Sequence, residues 1–223
     1  IEFLDIEKNE IISSNKKLNL EVKGIESTRL PGVGNYFAFN MQNAQVELAE
    51  EELKLPGGLY QISMKSLNLN LSDSSLVIKN FILKPQIEDR FEMARKLKFT
   101  EGIFNVTVDE IFIWPIDMRR MINDGELFID SVRVTGADVD IFKDKRMPWN
   151  LDKRPKYPNQ ALRTMDFPIY IRQIDVTKSK LKYHEESEKT FGNLTVLLDD
   201  LTASIIHVTS FKDSTRKPME ANL

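Results

Sequence analysis

The sequence predicts a mainly β protein: a curved, bulged antiparallel sheet, forming an open β-groove or half-barrel, with two short amphipathic helices. One supporting observation is a short phrase that recurs seven times, and the other is a longer match between two of its copies. Each half of the phrase alternates with period two, which is typical of strands with one buried and one wet face. A closed β-sandwich or barrel, whose strands cross between layers, is the alternative.

The recurring phrase reads apolar, any, apolar, polar, polar, apolar, any, apolar. Its polar pairs are, in chain order, Gln42-Asn43, Lys65-Ser66, Lys79-Asn80, Asp109-Glu110, Asp130-Ser131, Arg172-Gln173 and Asp199-Asp200. The polar pair breaks the alternation, so a flat strand would turn its two apolar halves to opposite faces. A β-bulge, in which two residues oppose one on the neighbouring strand, restores the phase and bends the strand. We therefore expect bulges at a similar height, a curled sheet and apolar side chains gathered on one surface.

Two copies of the phrase extend into a longer match. The segment from Leu127 to Phe142 aligns with the segment from Ile169 to His184 in its apolar positions. Both also contain a second phase break, at Thr135-Gly136 and at Thr177-Lys178. We interpret the two segments as one structural unit used twice.

The N-terminal half predicts a meander of strands. Its strands are Lys17 to Val22, Tyr36 to Leu48 with Leu53 to Leu55 as a continuation, Leu59 to Leu71, and Leu76 to Leu83. Turn residues at Ser72-Asp73-Ser74 join the last two as a hairpin.

Two segments change to helical spacing. The first runs from Ile87 to Leu97, where apolar residues form one stripe. The second runs from Ile116 to Asn123, opened by Pro115 and ended near Gly125. The strand from Ile103 to Trp114 lies between them.

The C-terminal half predicts the repeated unit and a final hairpin. Residues 143–168 form an irregular linker that contains four of the nine prolines, with one helical turn near Gln160 to Met165. The hairpin pairs Ile169 to Tyr183 with Leu194 to Val208. Residues 1–211 are thus expected to form a single elongated domain, and residues 212–223 a disordered tail.

Composition excludes several classes of function. The net charge of −3 gives no field that would attract nucleic acid. The absence of cysteine excludes disulfides and thiolate metal sites, and two histidines are too few for a zinc site with several imidazoles. Asp109-Glu110 and Asp199-Asp200 are the polar pairs of two copies of the phrase. Another copy has Lys65-Ser66 at the same place, so these positions require polar residues and not acidic ones. We therefore predict no catalytic residue, no metal and no cofactor, and a protein that is not an enzyme.

A basic stretch lies in the predicted linker, between residues 143 and 156. It contains Lys143, Lys145, Arg146, Lys153, Arg154 and Lys156, with Trp149 and Tyr157 nearby. A solvated linker is the default interpretation, and contact with anionic lipid headgroups is the alternative.

The tandem strands resemble the AsmA-like proteins of Gram-negative bacteria, most closely the large versions of the Bacteroidetes. The resemblance also includes Phe142-Lys-Asp-Lys-Arg-Met-Pro and the run from Ile169 through Tyr183-His184-Glu185 to Gly192-Asn-Leu-Thr. It implies a periplasmic segment, anchored to the inner membrane through a helix absent from this chain. It further implies a curved β-sheet that takes part in moving phospholipid toward the outer membrane.

A groove for acyl chains requires a continuous apolar trough, since each buried methylene contributes about 0.8 kcal/mol. The residues expected to line it are Ile62, Met64, Leu67, Leu69, Ile78, Phe81, Val106, Val108, Ile129, Val132, Ile171 and Ile174. Phospholipid or another acyl lipid is the expected partner. The alternative is a scaffolding β domain without lipid cargo, whose sheet edges hold envelope proteins. The two hypotheses differ in whether the helices seal the apolar face.

Overall fold

Strands dominate the computed structural model, which describes residues 2–5, 10–14, 17–29, 37–55, 57–151, 162, 167–187, 193–211 and 220–222. The strands are β1 (Glu2–Asp5), β2 (Glu10–Ser14), β3 (Lys17–Arg29), β4 (Phe37–Lys54), β5 (Tyr60–Asn70), β6 (Ser75–Pro85), β7 (Gly102–Ile116), β8 (Leu127–Asp144), β9 (Ile169–Glu186), β10 (Leu194–Thr209) and β11 (Glu220–Asn222). The helices are α1 (Arg90–Leu97) and α2 (Met118–Asp124).

All of these strands belong to one open, curved sheet. Their order is β1-β2-β4-β5-β6-β7-β8-β9-β10-β11, and β3 pairs with β4. The sheet is not closed into a barrel. This confirms the predicted open sheet and excludes the sandwich for the described strands, because a sandwich would divide them between two sheets.

The two copies of the repeated unit lie side by side as β8 and β9. They keep one register from Leu127 opposite Ile169 to Asp144 opposite Glu186, with Thr135 opposite Thr177. The interpretation as one unit used twice is therefore confirmed. The pairing is parallel, however, while the other described ladders are antiparallel as predicted. A long connection between β8 and β9 permits this, because it returns the chain to the same end of the sheet.

A belt of interrupted pairing crosses the sheet at one level, which we call the first belt. It contains one residue from each of β5 to β10: Lys65, Asn80, Asp109, Gly136, Lys178 and Asp200. Four of these residues have a left-handed backbone, with φ of 50° at Asn80, 66° at Gly136, 51° at Lys178 and 52° at Asp200.

The expected mechanism, a bulge of two residues against one, is wrong for β5 to β9. The register is the same before and after the first belt in these ladders, and it shifts only between β9 and β10. The physical reason is that neighbouring strands carry their phase breaks at the same level. The numbers of residues therefore match, and pairing resumes without a shift.

A second belt lies six positions further along β7, β8 and β9. It contains Pro115, Asp130 and Arg172, and His207 continues it in β10. The phrase in the sequence marks the first belt in β5, β6, β7 and β10, and the second belt in β8 and β9. In β8 and β9 the first belt lies instead at the second phase break of the repeated unit, at Thr135-Gly136 and Thr177-Lys178.

Both helices begin at an aspartate cap. The Asp89 carboxylate accepts hydrogen bonds from the backbone N–H groups of Phe91 and Glu92, at 2.8 and 2.9 Å. The Asp117 carboxylate accepts one from Arg120 N at 3.0 Å. The prediction that Pro115 opens α2 is wrong, because β7 continues through Ile116, which pairs with Ile129.

Two further boundaries differ from the prediction. Lys143 and Asp144, assigned to the linker, extend β8, since they pair with Glu185 and Glu186 of β9. Residues 220–222, assigned to the tail, form β11 against β10. Most of the linker, and all but one residue of the helical turn expected there, lie outside the described residues.

Candidate functional site

Apolar residues form continuous rows across the sheet, perpendicular to the strands. Row 1 is Leu53, Ile62, Leu83, Val106, Val139, Leu181 and Leu198; row 2 is Leu48, Leu67, Ile78, Ile111, Val134, Val176 and Ala203; row 3 is Leu69, Leu76, Ile113, Val132, Ile174 and Ile205; row 4 is Ile116, Ile129, Ile171 and Val208. Between rows 1 and 2, Val108 is opposite both Phe81 of β6 and Ala137 of β8, and Met64 lies at the same level in β5. Directly opposed residues share a face, so each row lies on one face of the sheet. We call the whole set the apolar face.

The apolar side chains stay on one face across the second belt. Ile116 and Ile129 lie on one side of the second belt and Val132 lies on the other side. The three residues form one buried cluster. Leu76, Ile111 and Ile113 of β6 and β7 pack against the same cluster, as do Ile171 and Ile174 of β9. At the second belt the two-residue interruption therefore restores the side-chain phase, as the sequence predicts, although it does so without a shift of register.

All twelve predicted lining residues lie on the apolar face. Three of them are buried, with exposed fractions of 6% for Val108, 6% for Ile129 and 7% for Val132. The other nine are half-buried. Exposure rises toward the start of β10, where Val196 is 41% and Leu198 is 40% exposed. The face is thus most exposed at the start of β10, while Ala203 and Val208, which end rows 2 and 4 in the same strand, are buried.

The opposite face, which we call the polar face, carries the charged side chains of the sheet, together with apolar ones such as Ile82 and Phe112. Lys79 and Glu110 form an ion pair across β6 and β7, and Lys182 and Asp140 form another across β9 and β8, at 3.9 and 3.5 Å. Lys180 and Asp199 continue the pattern to β10 at 3.6 Å. Exposed pairs of this kind contribute little to stability. They keep this face in water, so the sheet as a whole is amphipathic.

Helix α1 packs on the polar face, at one end of the strands. Met93 is fully buried there, against Ile103 and Phe142. Ile103 and Phe142 are opposite each other, and the next pair along the same strands, Phe104 with Ile141, points to the apolar face. Phe104 is 41% exposed. Helix α1 therefore does not seal the apolar face.

Helix α2 contacts the apolar face only at its end. Met118 packs against the cluster of Ile116, Ile129 and Val132. The helix has no buried residue, and Ile122 is 68% exposed. Helix α2 thus narrows one end of the face and leaves the rest uncovered.

The apolar face is large enough for an extended hydrocarbon chain. Seven strands, β4 to β10, span about 29 Å at roughly 4.8 Å per strand, and the ten positions from Val106 to Ile116 span about 33 Å. A bilayer has a hydrocarbon core of about 30 Å, so one acyl chain crosses about 15 Å. The apolar face exceeds that length in both directions.

The perturbed carboxyl groups of the described sheet belong to ion pairs. Hydrogen bonds from Arg172 lower the pKa of Asp130, and those from Arg146 lower the pKa of Asp144. Lys145 lowers the pKa of Glu185 in the same way. The Asp130–Arg172 pair joins β8 to β9 in the second belt and lines a cavity of about 260 Å³ with Pro115 and Tyr170. These contacts fix neighbouring strands and turns.

The other side chains that could act in catalysis or bind a metal also have structural contacts. The Asp109 side chain lies against Gly136 in the first belt. His184 Nδ1 lies 2.9 Å from Thr195 Oγ1 of β10, and its ring stacks on Phe142. Among the described residues, no group of three His, Asp or Glu side chains could hold a metal ion. Neither α1 nor α2 is long and apolar enough to cross a bilayer.

Three of the six basic residues predicted for the linker are described. Arg146 pairs with Asp144 at 2.9 Å, and Lys145 pairs with Glu185. The Lys143 ammonium lies 5.4 Å from the centre of the Trp149 ring. Lys153, Arg154, Lys156 and Tyr157 lie outside the described residues. The described part of the stretch is therefore tied to β8 and β9.

Sequence reasoning missed part of the apolar face. Val139 and Leu181 complete row 1, yet they lie beyond the second phase break and outside the recurring phrase. The signal was present in the sequence, because alternation resumes after Gly136 and after Lys178. Comparison of the chain with models of known protein families, with curated proteins and with solved structures finds no significant match.

Proposed function

We propose that this chain is a non-enzymatic groove segment that holds phospholipid acyl chains on its apolar face. It would belong to an AsmA-like envelope protein that conducts lipid through the periplasm, from the inner toward the outer membrane. The observation that carries the proposal is the set of unbroken apolar rows on one face of an open sheet whose charged side chains lie on the other face. An anchor outside this chain would hold the protein at the inner membrane.

The apolar face suits hydrocarbon for energetic reasons. Each methylene that leaves water gains about 0.8 kcal/mol, so a tail that contacts even part of the face binds favourably. Outside the two belts the described strands pair through their backbones, so the rows present mainly side chains to the tail. The rows contain no charged residue from β5 to β10, so a tail can slide along them without crossing a polar barrier.

The position of the helices favours this function over a scaffold without cargo. A scaffold needs no open apolar face, and its helices would be expected to cover one. Here α1 packs on the polar face and α2 contacts only one end of the apolar face. Nine of the twelve predicted lining residues stay half-buried, which leaves them available to a tail.

A charge on the apolar face tests the proposal. Met64→Glu places a carboxylate beside row 1, while Ser63→Glu places the same charge one position away on the polar face. Both native residues are half-buried, so the pair is matched. We expect the Met64→Glu protein to bind a fluorescent acyl probe at least tenfold more weakly, because a loss of about 1.4 kcal/mol suffices.

Native mass spectrometry of the gently purified chain supplies the second readout. We expect phospholipid to copurify with the parent chain and with Ser63→Glu, and to be lost from Met64→Glu while its circular dichroism is unchanged. A parent chain that carries no lipid and takes up no probe would refute the proposal. Equal binding by the two variants would also refute it, since the apolar face would then have no role.

A further inference from the structure

The apolar face has one more row beyond row 1, at the end of the strands where α1 lies. We call it row 0, and its members are opposite one another in β7 to β10: Phe104, Ile141, Tyr183 and Val196. Phe104 is 41% exposed although β7 is an interior strand of the sheet. Helix α1 packs on the polar face, so it leaves row 0 uncovered.

Charged side chains follow row 0 on the same face. The next set of opposed residues is Gly102, Lys143, Glu185 and Leu194, each two positions from row 0. Two positions along a strand return to the same face, so Lys143 and Glu185 lie at the end of the apolar face. Rows 0 to 4 have no charged residue in β8 and β9. This end is therefore where the apolar face becomes charged.

The Glu185 carboxylate already has partners for both of its oxygens. Lys145 Nζ lies 2.5 Å from Glu185 Oε1, and the Tyr183 hydroxyl donates a hydrogen bond of 2.7 Å to Oε2. These two contacts lower the pKa of Glu185, and its side chain is only 12% exposed. Glu185 is thus an ionised group whose partners are in place without Lys143.

Lys143 has no carboxylate within ion-pair distance among the described residues. Its ammonium lies 5.4 Å from the centre of the Trp149 ring, and Trp149 is 60% exposed. A cation over a ring interacts through the ring face, and an ammonium has three N–H donors, so Lys143 keeps donors for a ligand. Lys143 and Lys145 against Glu185 give this end of the apolar face a net charge of +1. An anion is therefore the ligand that it attracts.

We propose that Lys143 binds the anionic head group of an acyl lipid whose tail lies on rows 0 and 1. The head group would be the phosphate of a phospholipid or the carboxylate of a fatty acid, since both accept charge-assisted hydrogen bonds from an ammonium. A tail of about 15 Å reaches from Lys143 over Ile141 to Val139, because four positions of a strand span about 13 Å. The inference rests on the proposed function, and it adds which end of the apolar face receives the head group.

Three lipids with the same lauroyl chain test this head-group site: lauroyl-lysophosphatidic acid, lauric acid and monolauroylglycerol. The first and the third differ only in the phosphate. Calorimetric titration of the whole chain, below the micelle concentration of each lipid, measures the three affinities. We expect the phosphate lipid to bind at least about tenfold more tightly than the neutral one, because it alone pairs with Lys143. Lauric acid identifies the source: an equal gain assigns the site to either head group, and a smaller gain assigns it to phosphate.

Two lysine variants locate the effect. Lys143→Gln removes the charge and keeps a long side chain, and the exposed Lys96→Gln on α1 is the matched control at the same end of the strands. We expect Lys143→Gln to reduce the advantage of the phosphate lipid to about twofold or less, and Lys96→Gln to leave it unchanged. The neutral lipid should bind both variants like the parent chain, which also shows that the apolar face is intact.

The possible failures are distinguishable. Equal affinity of the parent chain for the phosphate and neutral lipids, or the same loss in both variants, would overturn the head-group site while leaving acyl binding in place. A parent chain that binds none of the three lipids would refute the proposed function and the head-group site with it.

Discussion

Gly136 shows how one residue shapes the first belt. Its φ of 66° is left-handed, and an added Cβ would lie 2.6 Å from Cγ of Asp109 and 3.0 Å from its Cβ. Glycine is therefore favoured here by the left-handed backbone and required by the approach of the Asp109 side chain. Asn80, Lys178 and Asp200 adopt similar φ values in the same belt without being glycine, so the approach of Asp109 is the feature particular to β8.

Replacing Gly136 separates these two reasons. We expect Gly136→Ala to lower the free energy of unfolding by about 3 kcal/mol, from the left-handed backbone and the clash together. Gly125 has the same φ of 66° and nothing within 4 Å of an added Cβ. Gly125→Ala should therefore cost only about 1 kcal/mol. Chemical denaturation measures both values.

A double variant tests the cause of the difference. Asp109→Ala removes the clashing carboxylate, and it should recover most of the extra loss in the Gly136→Ala background. Equal losses at Gly136 and Gly125 would show that Asp109 does not press on β8 in solution.

At the scale of single residues, the sequence shows where the alternation of each strand is interrupted, but not how the sheet accommodates the interruption. The phase breaks at Gly136 and Lys178 are visible as interruptions of an alternating pattern. That the breaks need no bulge is not visible, because it depends on which residue stands opposite in the next strand. Pro115 was misassigned for a related reason: its preference for the start of a helix was weaker than the pairing of Ile116 with Ile129.

Helix α1 is an element that stabilises the sheet without touching the apolar face. The fully buried Met93 holds it against Ile103 and Phe142 on the polar side. The Phe91 and Phe142 rings meet edge to face at 5.3 Å, and the Arg90 guanidinium lies 4.7 Å from the Phe142 ring centre. The sequence predicts the helix but cannot say which face of the sheet receives it, because its apolar stripe would fit either.

Loss of this packing should affect stability alone. We expect Met93→Ala to lower the free energy of unfolding by about 2–4 kcal/mol, as for other large buried side chains. Binding of the acyl probe should stay within twofold of the parent chain. The exposed Lys96→Ala on the same helix serves as the control and should change stability by less than about 0.5 kcal/mol. A loss of probe binding in Met93→Ala like that in Met64→Glu would place α1 in the binding site.

The repeated unit is the other element that the sequence predicts well. The alignment of Leu127 with Ile169, and of Phe142 with His184, is the register in which β8 and β9 pair. Direction was missed, because the phrase reads the same whether neighbouring strands run parallel or antiparallel. The connection that sets the direction lies largely in residues 145–168, whose sequence carries no periodic signal.

For the molecule as a whole, one amphipathic sheet explains most of the sequence pattern. Apolar residues recur because each of β5 to β10 contributes positions to two or more of the rows, and polar pairs recur because each of these strands crosses at least one of the belts. The openness of the sheet could not be derived from this pattern, since a closed barrel would need the same alternation. The three-residue β11 was missed because it is too short for periodicity to appear.

The central claim is that acyl chains lie on the apolar face of the open sheet. Labelling of the folded chain with a phospholipid that carries a photoactivatable diazirine in its tail tests it most directly, with the modified residues located by mass spectrometry. We predict adducts at half-buried apolar-face residues such as Met64, Phe81 and Val106, and none at Thr107 or Lys182 on the polar face. Adducts spread evenly over both faces, or confined to the polar face, would contradict the claim.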